Sequence, residues 1–120
     1  MTIEPAKLED MEGISRLYKA LNTDMSRLQP EMFRPAGEDG GFIRSVLESE
    51  RDDLLLARED GRVLGMALVQ DKDTPPYPAF IQRRYTYLMD LVVDPECRRQ
   101  GVGRALMGAV KEWAKSRNAE

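Results

Sequence analysis

The segment Arg98-Arg99-Gln100-Gly101-Val102-Gly103-Arg104 concentrates charge and backbone freedom at one point of the chain. Three arginines surround two glycines spaced one residue apart, just before an apolar periodic run. Where a helix begins, the N–H groups of its first turn have no helical partner, and the aligned peptide dipoles leave that end partly positive. Phosphate oxygens suit such an end. Glycine at 101 and 103 removes the side chains that would keep an anion away from the backbone. Arg98, Arg99 and Arg104 add charge around the same point. The chemistry predicted by these residue types is a pyrophosphate cradle. A plain turn into a helix can contain the same two glycines. The dinucleotide pattern G-x-G-x-x-G is incomplete because Gly108 falls at the wrong spacing, and no Gly-Lys-Ser/Thr of a Walker loop follows.

A cradle of this kind needs a strand before it and a helix after it. "RYTYLMDLVV" (84–93) is a nearly continuous apolar run, which predicts a strand buried on both faces. Val102, Leu106, Val110 and Trp113 recur at helical spacing and predict a helix from Gly101 to about Arg117 with a core-facing stripe. Upstream, 2–6 reads as a short strand ended by Pro5. Met11, Ile14, Leu17, Tyr18 and Leu21 share one face of a helix over 8–25, with Glu9 and Asp10 at its positive end. The stretch 26–41, with its prolines and glycines, reads as a loop. Phe42, Ile43, Val46 and Leu47 predict a short amphipathic helix. Two β-type runs, about 54–58 and 62–70, flank Asp60-Gly61 and predict an antiparallel hairpin. The proline-marked stretch 71–82 reads as a stiff loop. The order is β-α-α-β-β-β-α in one domain spanning 1–120: a mixed α/β fold of the α+β type, with a mainly antiparallel sheet flanked by helices.

Composition narrows the chemistry. The 120 residues are 42% apolar and 32% charged, a globular profile. The net charge of −3, from 18 basic and 21 acidic side chains, argues against broad nucleic-acid binding while leaving room for a local anion site. With no histidine, the usual zinc sites and Ser-His-Asp or Cys-His machinery are excluded, and no metal is expected. The single cysteine, Cys97, cannot form an intramolecular disulfide, and without a histidine to activate it a catalytic thiol is not expected. No apolar run approaches the length of a membrane span, and the N-terminus has no signal-peptide core. The expected location is the cytoplasm.

"DLVVDPECRRQGVGRALM" resembles the acetyl-CoA-binding motif of the GNAT superfamily of N-acetyltransferases, whose core is Arg/Gln-x-x-Gly-x-Gly/Ala. The strand, the Asp-Pro-Glu turn, the basic residue and both glycines all match, and the order of elements is similar throughout the chain. The resemblance implies a GNAT-like acyl-CoA N-acyltransferase fold. It implies direct transfer of an acetyl group from acetyl-CoA to the amine of a small molecule or peptide, without a covalent enzyme intermediate. Leu91, Val92 and Val93 would line the pantetheine arm, and Arg98, Arg99, Gln100, Gly101, Val102, Gly103 and Arg104 would hold the pyrophosphate. A bulge near Asp90 to Val92 would aim a backbone N–H, that of Leu91, at the thioester oxygen as an oxyanion donor. Asp90, the one acid inside the apolar strand, would orient an ammonium or accept a proton; its other reading is a structural carboxylate. Tyr85 and Tyr87, Tyr77 and Phe80, and Met32 and Phe33 are candidate walls of an acceptor cleft, with ordinary packing as the alternative for each.

Members of that family usually continue with a fifth strand, which walls the pantetheine cleft, and a region that often supplies a tyrosine general acid. The 120 residues contain neither, so the fold is expected to be C-terminally short, with one edge of strand 84–93 unpaired. A homodimer, or completion by another chain, is the expected consequence. Two other functions stay open: a non-catalytic acyl-CoA-binding or regulatory module, and an unrelated mononucleotide-binding domain.

Overall fold

The computed structural model describes residues 1–34 and 40–117. Its elements are β1 (Thr2–Pro5), α1 (Met11–Leu28), α2 (Gly40–Glu48), β2 (Asp52–Glu59), β3 (Arg62–Asp73), β4 (Arg84–Val93) and α3 (Val102–Ser116). Short 3₁₀ turns at Leu8–Asp10 and Pro95–Cys97 lead into α1 and toward α3. The four strands form one antiparallel sheet in the order β1-β2-β3-β4. The predicted order of elements holds. The hairpin strands run longer than their apolar cores because the ladder continues through Asp52, Asp53 and residues 71–73. The expected 26–41 loop loses its first residues to α1 and its last two to α2, and its 35–39 portion lies outside the described residues.

Alternation of side chains through the sheet divides the core in two. Leu54, Leu56, Met66, Leu68 and Val92 face α1 and α2, where Ile14, Leu17, Tyr18, Ile43 and Val46 meet them. Leu55, Ala57, Ala67 and Val69 face α3, where Val102, Leu106 and Val110 cover them. β3 is buried almost throughout because it is central and covered on both faces.

Strand β4 differs from expectation. Its apolar run is not buried on both faces: Tyr87, Met89 and Leu91 are exposed, and only Val92 is fully buried. β4 is an edge strand whose single neighbour among the described residues is β3. An apolar composition reports a preference for burial, and without a second neighbour that preference is unmet along the outer edge.

Two ionic clamps fix the ends of the layers. At the far end of the β3–β4 hairpin, the buried carboxylate of Asp71 receives the Arg84 guanidinium through two bonds, Nε at 2.7 Å and Nη2, with Arg51 at 3.5 Å. At the end of α3, Trp113 Nε1 donates to Asp53 at 2.7 Å, and Arg117 lies over the Trp113 ring while donating to Glu50 O and Asp53.

Candidate functional site

The chain leaves β4 through Asp94, whose buried side chain is a hub. Its Oδ1 accepts the Glu96 N–H at 2.9 Å, and its Oδ2 pairs with Arg16 of α1 and with Arg62 of β3 at 3.2 Å. Its own N–H donates to Leu64 O at 2.8 Å. Burial works against the charge, but the Arg16 guanidinium, the Glu96 N–H and Arg62 outweigh it and hold the Asp94 carboxyl below its ordinary range. The hub fixes where the following loop begins.

Along that loop the sign of φ alternates. Arg98 is extended, Arg99 is left-handed at φ 68°, Gln100 returns to negative φ, and Gly101 is left-handed at φ 82° before the helix starts at Val102. Turns of alternating hand draw successive N–H groups into an anion-binding concavity. None of the N–H groups from Arg99 to Arg104 has an acceptor among the described residues. A Cβ placed on Gly101 would meet nothing within 4 Å, so the space beside it is open, and one on Gly103 would make only ordinary contact with Val93, at 3.7 Å. Arg99, Gln100 and Arg104 are exposed. Arg98 instead turns toward α1, pairing with Asp24 at 3.2 Å. Val102 is buried and anchors the start of α3. Gly65 makes this seat possible: a Cβ there would lie 2.8 Å from Val92 O and 3.0 Å from Val102 Cγ1.

The bulge in β4 falls one step earlier than expected. Val69 pairs with Leu88 and Leu68 with Asp90, so Met89 is the inserted residue, and Asp90 to Val92 are in regular register. The inserted residue sends both Met89 and Asp90 to the α1 face, where they line one cavity. Past the bulge, the bond from Asp94 N–H to Leu64 O sets the phase of the ladder. Antiparallel pairs alternate between bonded and non-bonded, so Val92 and Asp90 turn their backbone groups to β3. Leu91 and Val93 turn their N–H and C=O groups outward at the open edge. The loop at 99–104 and this outward backbone at 91 and 93 lie at the same end of β4.

Asp90 accepts a hydrogen bond from the Tyr18 hydroxyl at 2.9 Å, while its Oδ1 has no partner among the described residues. Around it, Tyr18, Leu21, Asn22, Met25, Phe33 and Phe42 enclose a cavity of about 340 Å³. Of the candidate acceptor walls, only Phe33 lines it. Met32 is exposed, Tyr77 and Phe80 contact each other on the β3–β4 loop, and Tyr87 lies under the Lys72 ammonium. Tyr85 is half-buried opposite Lys72 on β4. Cys97 is buried in the α3 core. Tyr18, Phe42 and Met89 carried no functional signal in the sequence, since helical spacing marks a residue as core-facing without revealing that the core ends in a cavity. On the other face, a groove of about 550 Å³ runs between the outer edge of β4 and α3, from Thr86 and Leu88 to Met107 and Lys111.

The fold so built is that of acetyltransferases. The chain superposes over its whole length on the BH1408 protein from Bacillus halodurans, in a variant form, with a TM-score of 0.94, 22% identity and 78% of that chain covered. It also superposes on an acetyltransferase from Vibrio fischeri, with a TM-score of 0.83, 18% identity and 91% of that chain covered. An uncharacterized N-acetyltransferase from Archaeoglobus fulgidus is 25% identical over 98% of this chain and 76% of its own length. The family model for the acetyltransferase (GNAT) family matches residues 14–120. The chain belongs to the GNAT acetyltransferase family, and its general activity is acyl transfer to an amine.

Proposed function

We propose that the chain transfers the acetyl group of acetyl-CoA to an amine of a small molecule or peptide by direct attack. The observation that carries this reading is the row of N–H groups from Arg99 to Arg104, without protein acceptors among the described residues and opening beside Gly101. A diphosphate supplies the missing acceptors, so the residues fit the group. In this reading Arg98, Arg99, Gln100, Gly101, Val102, Gly103 and Arg104 hold the pyrophosphate, mostly through the backbone. Arg99 and Arg104 supply the free charge, and Arg98 braces the loop against α1. The outward groups of Leu91 and Val93 pair with the pantetheine arm, with Val92 as the buried anchor between them. The Leu91 N–H is the oxyanion donor. Asp90 holds the acceptor's ammonium or takes its proton.

As the amine nitrogen bonds to the acetyl carbon, the carbon–sulfur bond breaks. The amine gives up a proton, and CoA leaves as a thiolate that is then protonated. Acetyl-CoA is consumed as a substrate, and the reaction as proposed uses no metal. We read residues 1–120 as one cytoplasmic domain with no nucleic-acid or membrane partner. A further strand, from a second copy or another chain, would cover the β4 edge.

The test is calorimetric titration with acetyl-CoA, followed by an assay of CoA thiol release over a panel of amines. Binding with amine-dependent release supports the reading. Binding without release from any amine points to an acyl-CoA-binding module instead. Preference for ATP over acetyl-CoA overturns the reading.

A further inference from the structure

Resting on the acetyl-transfer reading, we infer that the acceptor is a monocationic primary amine carrying an apolar, arylalkyl-type body. The α1 face of β4 supplies the site. The bulge at Met89 turns two consecutive side chains, Met89 and Asp90, into one cavity closed by α1, α2 and the segment that follows α1. Tyr18 and Phe42 meet edge to face, with centroids 6.2 Å apart. Phe33 and Met25 complete the apolar wall. The cavity, about 340 Å³, is near the lower end of the range for small-ligand sites, about 300–1,000 Å³. It holds one compact body rather than an extended oligosaccharide.

Charge narrows the class further. Among the described lining residues Asp90 is the only ionisable carboxylate, and none of them is basic. The Tyr18 hydroxyl occupies Asp90 Oδ2 and orients the group, leaving Oδ1 to accept from a ligand. An ammonium is therefore matched once. Among the described lining residues a second cation would find no further carboxylate, and an α-carboxylate beside the ammonium would face Asp90 with no basic side chain to neutralise it. Rings and thioethers around a single carboxylate suit an apolar ammonium, which also gains from the ring faces. Asp90 adjoins Leu91, whose N–H points to the open edge, so an amine held at Asp90 lies beside the proposed acetyl position.

The experiment compares phenethylamine with phenylalanine, spermidine and kanamycin, by kcat/KM for CoA release and by calorimetric binding of each amine alone. Phenethylamine is expected to be preferred in both. Asp90→Asn, which keeps an acceptor for Tyr18, should weaken phenethylamine binding roughly tenfold, the scale of one charge-assisted contact. Phe42→Ala should weaken it as well, and acetyl-CoA affinity should be unchanged in both variants. Preference for spermidine, kanamycin or phenylalanine, or unaltered phenethylamine binding in Asp90→Asn, overturns the inference while the acetyl-transfer reading stands. Failure to bind acetyl-CoA overturns the acetyl-transfer reading, and amine binding alone then decides the cavity's ligand. A melting temperature for each variant separates loss of the site from loss of the fold, and Phe42→Leu replaces Phe42→Ala if the latter unfolds.

Discussion

At the residue scale, the two glycines of the loop do different work. Gly101 is left-handed, where a branched side chain is strained, so Gly101→Val combines occlusion of the cradle with a backbone cost of about 1–3 kcal/mol. Gly103 is helical, and its Cβ would meet only Val93 at an ordinary distance. Gly103→Val therefore isolates occlusion: acetyl-CoA affinity should fall at least as steeply as melting temperature is preserved, and calorimetry paired with a thermal melt reads both. Wild-type affinity in both variants would falsify the cradle. Asp94 makes a prediction in pH. Its folded-state pKa is depressed by Arg16, Glu96 N–H and Arg62 against the opposing effect of burial. The stability it contributes is thus present above the unfolded value, about 3.9, and is lost as pH falls through the lower folded value. Asp94→Asn should cost about 1–3 kcal/mol at neutral pH, a modest figure because Arg16 and Arg62 are half exposed and can rehydrate. Its melting temperature should also fall less than that of the wild type between pH 5 and about 3; parallel curves would remove Asp94 from the pH response.

At the scale of elements, the seat of α3 on the sheet depends on one missing side chain. Gly65 on β3 lies under Val102 and Leu106, and a Cβ there would press on the Val92 carbonyl at 2.8 Å. The backbone cannot yield as a side-chain tip would. Gly65→Ala should destabilise by about 1–3 kcal/mol, the usual cost of overpacking. It should also weaken acetyl-CoA binding, because Val102 begins the helix whose first turn belongs to the proposed cradle. Gly108→Ala on the same helix meets nothing within 4 Å and is the matched control. Equal melting temperatures for the two variants would show that α3 tolerates displacement.

For the whole molecule, the outstanding feature is the outer side of β4. Tyr87 and Leu91 are exposed along an edge whose alternate backbone groups lack partners among the described residues, and on the α3 side runs an apolar groove in which the buried hydroxyl of Thr86 has no hydrogen-bond partner among those residues. Such an edge pairs readily with another strand. The 120-residue chain, produced by itself, is expected to associate at micromolar concentrations, and sedimentation should show a dimer or larger species. Tyr87→Lys, which puts a charge on that edge, should shift the distribution toward monomer. A monodisperse wild-type monomer would mean that the edge is satisfied in another way.

The order of elements was legible in the sequence because it depends on local periodicity: Ile14, Leu17 and Tyr18 on one face of α1, Leu106 and Val110 on α3, and the Asp60-Gly61 turn. The left-handed turn into α3 was legible for the same reason, since its glycines, its arginines and the helix start are all consecutive. What lay beyond the sequence depends on contacts between distant positions. The burial of β4 depends on how many neighbours it has, and its apolar run has the same letters whether that number is one or two. The bulge at Met89 is a mismatch of register with β3, invisible in either strand alone. The meeting of Tyr18 with Asp90, 72 positions apart, and the pairing of Arg98 with Asp24, 74 apart, exist only once α1 lies across the sheet. Local spacing determined the elements and the glycine turn into α3, while packing decided which side chains meet in the cavity beside Asp90, because periodicity specifies which face of an element is apolar but not which element will cover it.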